Sequence, residues 1–135
     1  MHLIVCLDNK NGMLFNRRRQ SQDSMLRMRI LEQFSTSGLW MNGYSAKQFD
    51  PLPECVTVTD DICDAGKGCY CFVENISPKE LPQKPEGIVI YRWNRSYPAD
   101  VFFPMEQMIG GMRLVSRREF QGNSHDIITE EIYEA

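Results

Sequence analysis

Leu3-Ile4-Val5-Cys6-Leu7 is an unbroken apolar run of strand length, and the lack of polar alternation marks a central strand buried on both faces. Asp8 ends it, and Asn11-Gly12 supplies residues suited to positive φ in the turn that follows. Beyond the arginines at 17–19, the pattern changes period. Met25, Leu26, Met28, Ile30, Leu31 and Phe34 recur at three- and four-residue spacings, which predicts a helix of about three turns. Ser21-Gln22-Asp23-Ser24 offers its N-cap, and Ser35-Thr36-Ser37-Gly38 ends it. Gly38-Leu39-Trp40-Met41-Asn42-Gly43-Tyr44-Ser45 then reads as a strand, a tight turn and a helix start, with Ser45 as the N-cap. Further strands are predicted over Cys55–Thr59, Cys69–Glu74 and Ile88–Trp93. Between them lie one helical turn at 60–65 and a proline-broken stretch at 75–87. Arg113–Phe120 and Ile127–Tyr133 close the chain as a hairpin turning at Gln121-Gly122-Asn123-Ser124. Strands alternate with helices early and run consecutively late. The expected architecture is one α/β domain over 1–135, mostly parallel with a C-terminal antiparallel hairpin.

A ligand site in such a domain is expected at the carboxyl ends of the strands. Composition narrows what it could hold. Apolar residues make up 42% and charged ones 24% of 135 residues, the balance of a folded chain. A net charge of −3 argues against a domain built mainly to grip nucleic-acid phosphates. No run reaches the roughly 20 apolar residues of a membrane span, and no leader pattern opens the chain, so a cytoplasmic location is expected. Cys6, Cys55, Cys63, Cys69 and Cys71 are an odd set with no C-x2-C knuckle, which predicts reduced thiols and no metal. Arg17-Arg18-Arg19 offers guanidinium forks to an anion or simply a solvated loop. Trp93-Asn94-Arg95-Ser96-Tyr97 interleaves aromatics with cations, a pattern for stacking single-stranded RNA that also serves as ordinary packing.

The order of these segments resembles dihydrofolate reductase along nearly the whole chain. Asn11-Gly12…Asn16 is similar to that family's I-G-x-x-N loop, with one more residue between glycine and asparagine. Leu39 through Ser45 lies where the family has a strand followed by M-G-R-x-T, and Tyr97 through Pro104 resembles its G-D-x-x-F-P ending. Asn123-Ser124-His125 is similar to the turn before its last strand. The resemblance implies a trimmed dihydrofolate reductase-like fold and a cleft rimmed by Cys6, Asn16, Arg18, Asp23, Asn42, Ser45 and Tyr91. It also implies NADPH as cofactor, but the departures oppose this. Val73-Glu74-Asn75 stands where the family's Gly-Gly pair approaches the pyrophosphate, Gly43 replaces the phosphate-binding arginine, and Tyr91 falls where a small hydroxyl residue would assist the pterin-binding acid. Asp23 is the one acid near that position, either as a buried functional carboxylate or as an exposed cap.

The chain is also similar to short proteins of gut clostridia that share the N-G-M-L-F-N-R-R-Q and Y-R-W-N-R-x-Y-P patterns and carry the label ribonuclease Z. That chemistry needs a histidine-rich two-metal cluster, whereas only His2 and His125 are present. The expected function is a diverged small-molecule or nucleotide binder. An NADPH-dependent reductase, a protein-interaction or inhibitor module, and a metal-free ribonuclease using His125 with Asp126, Arg18 or Arg19 are the alternatives.

Overall fold

The computed structural model describes all residues from Met1 to Ala135. Its strands are β1 (His2–Leu7), β2 (Gly12–Phe15), β3 (Arg18–Arg19), β4 (Leu39–Met41), β5 (Val56–Val58), β6 (Tyr70–Phe72), β7 (Gly87–Arg92), β8 (Val101–Phe102), β9 (Arg113–Gln121) and β10 (Ile127–Glu134). The α-helices are α1 (Ser24–Phe34), α2 (Gly43–Ala46) and α3 (Met105–Ile109). Seven strands form one sheet in the order β5-β4-β6-β1-β7-β10-β9. The first five are parallel; β10 adds antiparallel to β7, and β9 adds antiparallel to β10.

Strand alternation divides the core between the two faces of this sheet. Leu3, Val5 and Leu7 of β1 pack with Ile88 and Ile90 of β7, Val73, Phe103 and Met108. Ile4, between them, points to the other face, where Val89 and Tyr91 meet Leu26, Ile30 and Phe34 of α1. Both faces of β1 and β7 are covered mainly by apolar side chains, so neither strand needs a solvent-facing polar side. Cys71 is buried in the first layer with Cys69 partly buried beside it, the filler role expected of that pair. Burial pushes the Cys71 thiol up to about 12. Iodoacetamide at pH 8 should therefore modify exposed Cys55 in the folded protein and leave Cys71 untouched until denaturant is added, as read by peptide mass mapping.

Three local features differ from the sequence reading. The stretch around the three arginines is a β-hairpin, and with β8 it makes a second antiparallel sheet in the order β3-β2-β8. Its turn residues, Asn16 and Arg17, have φ of 53° and 63°, the mirror-image turn that matches strand twist. Asn42, not Ser45, caps α2: its side-chain oxygen accepts from the Ser45 N–H at 3.0 Å, and Ser45 is itself the third residue inside the helix. Met105–Ile109 is a short helix, opened by Pro104 without a side-chain cap.

Candidate functional site

The carboxyl ends of β1, β4 and β6 meet the β2–β3 hairpin, and this junction is closed by side chains. Asp8, buried at the end of β1, accepts from the Lys10 and Gly12 N–H groups at 2.8 Å, from the Tyr97 N–H at 3.1 Å and from the Gln20 amide at 3.1 Å. The hairpin is thereby tied to the strand end. Gly12 is required there, because a Cβ would sit 2.7 Å from the Ala99 Cβ.

From β3, Arg19 reaches under the sheet edge to Glu74. Its Nε and Nη2 donate to the two carboxylate oxygens at 2.9 and 3.2 Å, and its guanidinium lies 4.2 Å from the Tyr44 ring centroid. Gln48 donates to the same carboxylate at 2.7 Å, so Glu74 is fully engaged although buried. What remains between Cys6, Arg19, Gln20, Ser21, Glu74 and Trp93 is a void of about 10 Å³, room for about one water. Burial, and then the Glu74 charge, push the Cys6 thiol well up, so it is not a ready nucleophile.

Behind this void, Asp23 combines the two roles the sequence set against each other. Its Oδ1 caps α1, accepting from the Met25 and Leu26 N–H groups at 2.9 and 3.3 Å. Its Oδ2 accepts from the N–H groups of Asn123, Ser124 and His125 and from His125 Nδ1 at 3.0 Å. Burial pushes this carboxyl up, but the hydrogen bonds from Asn123, His125, Met25 and Leu26 outweigh it and hold the group well below the usual carboxylate range. Gly122 permits the approach, since a Cβ there would lie 2.8 Å from Oδ2.

His125 is buried and stacked on Trp93 with centroids 4.5 Å apart. Its Nε2 lies 2.8 Å from the Tyr97 hydroxyl and 3.2 Å from the Ser21 hydroxyl. Carboxylate, imidazole and hydroxyl in line is the order of a nucleophile relay. Here the imidazole is held by Tyr97, and the void beside Ser21 admits no substrate.

Tyr91 fills the sheet face under α1. Its hydroxyl donates to Glu130 at 2.8 Å, and Arg29 of α1 pairs with both oxygens of that buried carboxylate at 2.8 and 3.1 Å. Burial, then the Glu130 charge and hydrogen bond, push the Tyr91 phenol far above its ordinary value.

The seven rim residues therefore do not share one cavity. Cys6 borders the small void, while Asp23, Ser45 and Tyr91 are buried. The Ser45 hydroxyl has no partner. Asn16 stands exposed at the hairpin tip, its N–H donating to Asp100 at 3.0 Å, and Arg18 is exposed beside it. Asn42 borders a separate groove of about 460 Å³ with Asp60, Asp61, Ile62, Ile76 and Glu80. Arg19 and His125 meet no common open cleft, and Asp126 is exposed. No group of three or more His, Cys, Asp or Glu side chains is arranged to hold a metal.

The sequence matches no family model and no curated protein. Among solved structures it is similar to a dihydrofolate reductase from Enterococcus faecalis in complex with NADP(H) and RAB-propyl, with a TM-score of 0.64. Identity is 10%, over 98% of this chain and 94% of that one. This is the dihydrofolate reductase fold. The NADP(H) belongs to the Enterococcus protein, and the residues here can be tested against such a cofactor. A dinucleotide needs backbone N–H groups or cations around its pyrophosphate. The groove at Asn42 instead presents Asp60, Asp61 and Glu80 and no cation, Arg19 is consumed by Glu74, and Arg17 shares its groove at Asn75 and Ser77 with Glu80 and Asp100. These residues do not fit a pyrophosphate.

A further concavity is one the sequence reading did not anticipate. Phe102 and Pro104 on one side and Pro78, Lys79, Leu81 and Lys84 on the other form a groove of about 640 Å³, completed by Gln83, Gln107 and Met108. Phe102 is 51% exposed, and no acidic side chain lines the groove. Phe102 belongs to the segment that resembled the family's F-P ending. The signal that could have found the groove is the pairing of that aromatic with the lysines of the proline-broken stretch, which sequence separation conceals.

Proposed function

We propose that this chain is a small-ligand binder on a dihydrofolate reductase fold, taking a planar anion of the nucleoside monophosphate class in the Phe102 groove. The observation that carries this reading is the combination of Lys79, Lys84 and a half-exposed Phe102 around about 640 Å³ without an opposing carboxylate. A volume of that size suits a ligand of this class. Two ammonium groups supply charge for one phosphate, the phenyl face and the Leu81–Met108 floor supply apolar contact for a base, and Gln83 and Gln107 supply amides for its polar edge. The strand ends support the same reading from the other side: the junction at Arg19 and Glu74 is closed, and the grooves of about 460 and 500 Å³ beside it carry acidic side chains, Asp60, Asp61 and Glu80 in one and Glu80 and Asp100 in the other.

Calorimetric titration with adenosine 5′-monophosphate tests it. Saturable binding is expected, weakened at least about tenfold in Lys79→Gln/Lys84→Gln and again in Phe102→Ala, with adenosine binding more weakly than its phosphate. Absence of binding at millimolar nucleotide, or affinity indifferent to all three substitutions, rejects the assignment. NADPH is titrated in parallel. Saturable NADPH binding unaffected by the lysine variants would restore the reductase reading.

A further inference from the structure

The sheet has two edges of unequal kind. β5, at one edge, is three residues long; β9, at the other, is nine. Every large residue of β9 except Phe120 is exposed, Leu114 and Val115 by 47% and 41%. No hydrogen bond outside its ladder with β10 reaches its backbone, so one whole side of N–H and C=O groups is free. Such an edge pairs readily with another extended segment.

Charge says which segment. β9 carries Arg113, Arg117 and Arg118 against the single Glu119, in a chain of net charge −3. Its inner neighbour β10 is acidic in matching register: Glu130 lies opposite Arg118, Glu131 opposite Arg117 and Glu134 opposite Arg113. Yet Glu130 is committed to Arg29 and Glu131 to Arg92. Arg113 and Arg118 join no ion pair, and Arg117 has only a 3.4 Å contact with Glu119, both more than half exposed. Arg113 and Arg118 are left unneutralised, and Arg117 is held only by that long, exposed contact. Arg117 and Arg118, adjacent in a strand, project to opposite faces.

We propose that the free edge of β9 is a docking site for an extended acidic segment of another protein, one carrying two consecutive carboxylates that meet Arg117 on one face and Arg118 on the other. The main-chain ladder supplies affinity and the carboxylate pair supplies selection. A second copy of this chain does not suit the edge, because two β9 strands bring three arginines against three. The bulge between the Ile132 and Tyr133 partners displaces the strand near Val115, which confines docking to Ser116–Gln121. This site is independent of the Phe102 groove and stands or falls apart from it.

The probe is a synthetic peptide of the β10 sequence, residues 127–134, whose consecutive glutamates stand opposite Arg118 and Arg117 in register within the chain. Its addition to ¹⁵N-labelled protein is expected to shift the amides of 116–121 and slow their exchange. The same peptide with its three glutamates changed to glutamine, and Arg117→Gln/Arg118→Gln protein with unchanged circular dichroism, should each bind at least about fivefold more weakly. Rising salt should weaken the first interaction most. No shift at millimolar peptide, or shifts confined to the groove at Lys79 and Lys84, would overturn the proposal. So would release of the chain's own β10, concentration-dependent dimerisation through β9, or tighter binding of a single-stranded RNA oligonucleotide at the same amides.

Discussion

Asp23→Ala is expected to lower unfolding free energy by about 3–5 kcal/mol, since it strips a buried network of its acceptor and removes a helix cap together. In urea or thermal melts of a chain this size that is a fall on the order of 10 °C or more. Asn should rescue little. Oδ1 faces the Met25 and Leu26 N–H groups and Oδ2 faces those of Asn123, Ser124 and His125, so either orientation of an amide turns its NH₂ toward donors. The pH dependence follows from the depressed carboxyl. A group whose folded value lies below its unfolded value contributes stability above the unfolded pKa of about 3.9, and the contribution is lost as pH falls toward the folded value. Wild type should therefore lose stability steeply below about pH 4, with a shallower loss in the alanine variant. Trp93, stacked on His125, reports the change by fluorescence. A cost under about 1 kcal/mol would mean that the Asp23 network contributes little net stability.

Arg29→Ala should be nearly as costly, about 3–5 kcal/mol at neutral pH. The substitution leaves the Glu130 carboxylate buried with the Tyr91 hydroxyl as its remaining side-chain donor among these hydrogen bonds. A buried carboxylate that has lost its guanidinium partner is an uncompensated buried charge, which is why the cost is large. Paired urea melts of wild type and Arg29→Ala measure it, and a loss under about 1 kcal/mol would show that the pair contributes little net stability. Glu130→Gln keeps a hydrogen-bonding amide and should cost less than Glu130→Ala.

These two networks show what a sequence reveals and what it hides. The runs at Leu3–Leu7 and Ile88–Trp93 were readable because a strand buried on both faces has no polar positions to interrupt it. The helix ending at Phe34 was readable from its period and its cap. The β2–β3 hairpin was not, because its turn uses Arg17 at positive φ, where the familiar signal is glycine. The burial of Asp23 was hidden for a different reason: five of its partners are backbone N–H groups, three of them about a hundred residues away, and backbone donors leave no trace in residue type. Glu74 stood out as an acid where phosphate was expected. Its partner Arg19, in a run of three arginines, could not be told from its neighbours until the hairpin placed it.

The position of β1 has a consequence during synthesis. It lies at the centre of the sheet, yet its two neighbours are β6 and β7, so its ladder cannot close until residues 70–92 have left the ribosome. Over that interval the apolar run at Leu3–Leu7 is without its native partners, a contact of long sequence separation in a slow-forming parallel sheet. A nascent chain stalled before β7 emerges accordingly leaves one whole side of its first strand unpaired, and release past residue 92 is what lets the chain shelter that strand itself.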